Sequence, residues 1–160
     1  MLHPEIQAFM GNQEILHLPL TAFLCSRQVP ADAVLRCYDW AIAQREAGNA
    51  VISGFHSPLE KDVLRYLLKG KQPVVMALAR GMKQSWEPPI LKALEEGRLL
   101  IITPFSEQVR RASVDTAAVR NDLMIRLSKQ VVVGYAGKGG MLERRLRLEK
   151  ELPIEYLTLS

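Results

Sequence analysis

The stretch Leu20-Thr21-Ala22-Phe23-Leu24-Cys25-Ser26-Arg27-Gln28-Val29-Pro30 decides the fold. Its first six residues form an apolar run without the polar alternation of a half-exposed strand, which suits a strand covered on both faces. Pro30 supplies a preset φ where a helix can begin, and the helical pattern over residues 31–47 is closed by Gly48. A second apolar run, Ala50-Val51-Ile52-Ser53, follows at once and ends at Gly54. Strand, helix and strand joined this tightly predict a right-handed crossover and a parallel pair.

The pattern continues outward. Residues 58–68 read as a helix, with Leu59, Val63, Tyr66 and Leu67 at helical spacing and Gly70 at the end. A third apolar strand covers residues 73–78, and a short helix over 88–96 is closed by Gly97. Residues 99–103 form a fourth strand, 114–127 a helix, 130–135 a strand, 141–151 a helix and 154–159 a last strand. This alternation predicts a three-layer α/β/α fold with a mainly parallel sheet, helices on both faces and one domain over residues 1–160.

Composition agrees with that class and excludes others. The 160 residues are 48% hydrophobic and 24% charged, a globular balance that excludes a disordered or collagen-like chain. No apolar run approaches the roughly 18 residues of a membrane span. The N-terminus has no basic start followed by an apolar stretch, and two cysteines are too few for a disulfide scaffold, so a cytoplasmic protein is expected. The net charge of +4 leans to the C-terminal half, and it permits an anionic ligand without demanding one.

Ligands of such sheets bind beyond the carboxyl ends of the strands. Those ends carry Cys25-Ser26-Arg27, then Ser53-Gly54 with His56 and Ser57, then Ala79-Arg80-Gly81, and finally Gly137-Lys138-Gly139-Gly140 leading into a helix. Glycine lets a backbone approach a phosphate closely, and helix N-termini offer free N–H groups. Arg27, Arg80 and Lys138 add cations. The joint reading is an anion site for a phosphate-bearing ligand, against the plainer reading of each glycine as a turn residue. Neither a dinucleotide fingerprint nor a phosphate-binding P-loop motif is present. His3, His17 and His56 lack metal-ligand spacing and Cys25 and Cys37 form no C-x-x-C pair, so neither a metal nor a cofactor is expected. Cys25 reads as a small buried thiol.

Taken in order, these motifs resemble the Rossmann-like domain of the DNA-processing protein A (Smf/DprA) family, in the superfamily that also holds the Lonely Guy (LOG) proteins. The matching residues are Gly11-Asn12 with Ile15 and Leu16, Ser26-Arg27, Ser53-Gly54, Gly81 with Trp86-Glu87-Pro88, Arg120-Asn121 with Leu127-Ser128, and the turn Gly137 to Gly140. They span roughly residues 11–145. Departures are Pro58, Glu60 and Leu64 where the family has a glycine, an aspartate and a histidine, Val119 before Arg120, and Lys138-Gly139-Gly140 in place of Ser-Gly-Ser. The resemblance implies a non-enzymatic protein of DNA processing and recombination that binds single-stranded DNA or a nucleotide. Its phosphate-facing rim would comprise Ser26, Arg27, Ser53, Gly54, Arg120, Asn121, Gly137, Lys138, Gly139 and Gly140.

The LOG relatives imply an alternative, a nucleotide phosphoribohydrolase. In that reading Arg120 and Glu143 would flank the N-glycosidic bond. A nucleotide-signal sensor using the same pocket without chemistry is a third expectation. Relatives of both kinds tend to form homodimers, and the residues locate no interface.

Overall fold

Apolar runs become strands here because each is covered on both faces. A computed structural model describes residues 3–158. The strands are β1 (Ala8–Gly11), β2 (Thr21–Cys25), β3 (Val51–Ser53), β4 (Val74–Ala77), β5 (Leu99–Thr103), β6 (Gln130–Tyr135) and β7 (Ile154–Tyr156). Between them lie α1 (Ala31–Ala47), α2 (Pro58–Leu68), α3 (Pro88–Glu95), α4 (Val114–Leu127) and α5 (Met141–Leu148). The sheet order is β1-β5-β4-β3-β2-β6-β7. All neighbours pair parallel except β1, which runs antiparallel to β5 along the edge.

Two apolar layers hold the sheet. Phe23, Val51, Val74 and Ile101 face α1, α2 and α3. Leu24, Ile52, Val75 and Leu100 face α4, α5 and the 3-10 turn over Gln13–His17. Every residue of β5 is buried, and full burial of such side chains contributes roughly 1.5–3 kcal/mol each. Phe23 stacks on Trp40 of α1 with centroids 4.9 Å apart. Gly134 of β6 makes that layer close: a Cβ there would lie 2.6 Å from the Cys37 sulfur and 3.1 Å from that of Cys25.

Chain order dictates where a ligand can enter. From β2 the chain steps by α1–α3 across one face to β5, then returns under the sheet through α4 to β6, on the other side of β2. The switch point therefore lies between β2 and β6, and a crevice opens beyond their carboxyl ends.

Three expectations from sequence need correction. The edge strand β1 was not foreseen, because four residues with alternating burial carry little apolar signal. Gly11 adopts φ +107°, and a Cβ there would lie 2.2 Å from the Leu99 carbonyl oxygen. Asn12 then donates from Nδ2 to the Gly97 carbonyl at 2.8 Å and accepts the Glu14 N–H at 3.0 Å. The Gly-Asn pair thus clamps the edge strand and takes no place in the crevice. Helix α5 stops at Leu148 rather than at residue 151, because the Glu149 carboxylate accepts the N–H groups of Glu151 and Leu152 and turns the chain. The last strand is Ile154–Tyr156, and residue 159 of the expected strand lies outside the described residues.

Candidate functional site

The loop that ends β2 carries Ser26 and Arg27. Ser26 donates its N–H to the Tyr135 carbonyl at 2.7 Å, and its hydroxyl accepts the Gly137 N–H at 2.7 Å. These two bonds lace the two loops together across the switch point. Beside them lies a cleft of about 490 Å³, lined by Ser26, Arg27, His56, Glu60, Arg120 and Asn121 among others.

Arg120 is the central group. It projects from α4 and is buried to 7% exposure. Its Nη1 donates to the Ala77 carbonyl at 3.2 Å, and its Nε donates to the Asn121 side-chain oxygen at 2.9 Å. Asn121 therefore orients Arg120. Gly54 makes room for the guanidinium, because a Cβ there would stand 2.1 Å from Nη1. Burial lowers the Arg120 pKa from its ordinary value, and the nearby Glu60 carboxylate opposes that shift. The guanidinium remains charged at neutral pH. Among the described residues no carboxylate comes within ion-pair distance of it.

Glu60 sits on the opposite wall. Ser57 caps α2, accepting the Glu60 N–H at 3.3 Å, while the Glu60 carboxylate accepts the N–H groups of His56 and Ser57 at 3.0 Å each. An internal carboxylate thus occupies the positive end of α2, so a bound anion has to rely on other donors. The N-terminus of α4 also borders the cleft at Ser113 and Val114. Its capping box engages the N–H groups of Ser113 and Thr116 and leaves those between them free of helix partners. His56 lies between these walls. Burial first, and the Arg120 charge second, hold its pKa below 6.5, so it is neutral at pH 7.

Not every residue expected on the rim lies there. Ser26, Arg27, Arg120 and Asn121 line one cleft together. Ser53 is fully buried, and its hydroxyl donates to the Phe23 carbonyl at 2.9 Å, which ties β3 to β2. Gly54 lies beneath Arg120. Gly137, Lys138, Gly139 and Gly140 stand outside the lining, which reaches this turn only at Met141 and Leu142. Glu143 likewise is not among the residues lining this cleft. Its carboxylate accepts the Gly139 N–H at 3.0 Å and pairs with Arg147 at 3.3 Å, so it closes the α5 N-terminus. Cys25 borders the cleft, and its contact with the Cys37 thiol and its burial raise its thiol pKa.

The sequence gives no site role to Glu60 or Ser113, and it places His56 only within the strand-end loop. The Ser57-x-x-Glu60 spacing is a capping-box signal that could have placed Glu60 at the mouth of α2.

The same overall fold recurs in solved structures. DNA processing protein A from Helicobacter pylori superposes with a TM-score of 0.75 over 95% of this chain and 71% of its own, at 16% identity. This is a DprA-like Rossmann fold. The H. pylori DprA is a single-stranded DNA binding protein. DprA from Streptococcus pneumoniae matches with a TM-score of 0.68 over 87% of this chain at 15% identity, and this chain spans half the length of that protein. The same fold extends to a molybdenum cofactor binding protein from Rippkaea orientalis, with a TM-score of 0.61 at 13% identity over 87% of this chain and 76% of that one. No family model and no curated protein sequence matches the chain. Among the described residues no helix is long and apolar enough to cross a membrane.

Proposed function

We propose that this DprA-like chain binds single-stranded DNA, with phosphate held in the Arg27–Arg120 cleft at the switch point. One observation carries the reading. Arg120 is a buried cation that, among the described residues, has no carboxylate at ion-pair distance, and it stands on the wall of a cleft that opens to solvent. A desolvated charge without a counter-ion is costly, and an anionic ligand offsets that cost. Arg27, exposed at the mouth, supplies a second cation. The fold shared with a protein that binds single-stranded DNA supports the same ligand class. The reading extends to cytoplasmic DNA processing and recombination, where single strands are the working substrate.

Fluorescence anisotropy with a labelled oligothymidylate at low and moderate salt tests this. Binding should weaken steeply as salt rises. Arg120→Ala should cost tenfold or more in affinity, and Arg27→Ala should flatten the salt slope by roughly 0.7 for a lost phosphate contact. Affinity indifferent to salt and to both substitutions would overturn the proposal. Glu143, which the hydrolase reading pairs with Arg120, accepts the Gly139 N–H at 3.0 Å and is not among the residues lining the Arg120 cleft, so the single-strand reading is preferred.

A further inference from the structure

A second cleft, of about 500 Å³, lies on the far side of Arg120. Arg120, His56, Ala79 and Ala112 line both clefts, so the two adjoin along a shared wall. The chemistry of the second differs from that of the first. Its floor is apolar, built from Phe55, Leu64, Met76, Leu78 and Ile90, all buried. Phe55 reaches that floor from a left-handed backbone conformation, φ +47°, which an aromatic residue rarely adopts.

Trp86 forms one wall. Its indole Nε1 is buried and, among the described residues, has no hydrogen-bond acceptor, an arrangement rare for a buried donor. The Lys83 ammonium lies over its ring, 4.7 Å from the centroid. The rim carries Lys61, Arg65, Arg80 and Lys83 against the single carboxylate of Glu87. Among the described residues only Arg65 of these four has an ion-pair partner, Asp62. An apolar floor takes a flat ring, an aromatic wall stacks it, and a cationic rim selects for attached negative charge. A nucleobase carrying phosphate satisfies all three, and its carbonyl oxygens or ring nitrogens are acceptors for an indole N–H.

We propose that the Trp86 cleft receives the second base of a single strand whose neighbouring nucleotide occupies the Arg27 cleft. The linking phosphodiester then lies on Arg120, the cation common to both. Lys83 leaves the Trp86 ring as the base arrives and turns to the phosphate. The minimal ligand is accordingly a dinucleotide. The inference rests on the single-strand reading above and adds the length and course of the ligand.

The test compares 5′-phosphorylated thymidine mononucleotide, dinucleotide and longer oligothymidylate by calorimetry and by indole fluorescence. The dinucleotide should bind at least about tenfold more tightly than the mononucleotide, because stacking one base on an aromatic wall contributes that much. Its binding should quench Trp86 emission. Trp86→Ala should remove the gain from the second nucleotide, so that the dinucleotide binds no more tightly than the mononucleotide. Trp86→Phe, which keeps an aromatic wall and the packing, should retain much of the gain, and it isolates the buried Trp40 signal as a background. A dinucleotide that binds no better than the mononucleotide, with both lost in Arg120→Ala, overturns the second subsite and leaves the single-strand reading standing. Binding of neither ligand, or binding indifferent to Arg120→Ala, overturns both.

Discussion

The guanidinium of Arg120 fills the space that a side chain on Gly54 would take: a Cβ at position 54 would meet Nη1 at 2.1 Å, Cζ at 2.5 Å and Nε at 3.2 Å. The nearest obstacles are all Arg120 atoms. A residue after β3 and one in the middle of α4, far apart in sequence, thus compete for one space. Glycine at 54 brings the cation onto the strand ends, and the cation faces both clefts from there.

Gly54→Ala should therefore destabilise the protein by about 1–3 kcal/mol through overpacking and displace the guanidinium, with loss of oligonucleotide binding. In an Arg120→Ala background the same substitution should cost little. A double-mutant cycle read by urea denaturation should give a coupling above roughly 1 kcal/mol. Additive costs would mean that the two residues do not share this space.

Ser53→Ala separates packing from binding. The buried hydroxyl bonds the Phe23 carbonyl at 2.9 Å, so the variant should lose about 1 kcal/mol of stability. Oligonucleotide affinity should be unchanged. A selective loss of affinity at unchanged stability would put Ser53 back on the ligand.

Glu60→Gln tests the internal carboxylate. Removing a negative charge from the cleft wall should tighten single-strand binding, most at low salt, where charge–charge terms are least screened. The same change weakens the α2 cap, whose Glu60 carboxylate accepts two N–H groups, and should lower stability by roughly 0.5–1 kcal/mol. Weaker binding in this variant would show that Glu60 itself contacts the ligand.

His56 adds a pH dependence of known sign. Burial and Arg120 hold its folded-state pKa below the ordinary 6.5. Between those two values the unfolded chain binds more protons, so stability falls as pH drops below about 6.5 and through the lower folded value. Polyanion binding should strengthen over the same range, because a protonated His56 adds a cation that both clefts share. Titrating affinity and melting temperature in wild type and His56→Gln checks this; the variant should flatten both profiles, and an unaltered profile would assign the dependence elsewhere.

Much of the site was legible because its residues follow strands directly. Ser26 and Arg27 sit at the end of β2, and a strand end beside a switch point is a ligand edge whatever the side chains. Arg120-Asn121 was legible only through the resemblance to the DprA family, since nothing in the local pattern of α4 marks an arginine as buried. The direction of a side chain was not. Ser53 and Gly54 adjoin in sequence, yet one turns inward to bond Phe23 and the other lies under Arg120. The glycine-rich turn offered the expected free N–H groups, but the Glu143 side chain had already taken that of Gly139. Trp86 was left without a role, because its partners in the second cleft come from α2, α3 and β4.

The sequence by itself determined the alternation of strands and helices, the parallel sheet and the sheet edge at which the cleft opens. Those properties depend on local periodicity and on the handedness of short crossovers, which act over a few residues. Tertiary structure alone decided which groups meet at that edge. Arg120 reaches the carbonyl of Ala77 and the backbone of Gly54 only when α4 packs on the sheet. Two adjoining clefts arise only when the loops after β2, β3, β4 and β5 converge. Such meetings depend on packing between distant segments, and no local pattern encodes them.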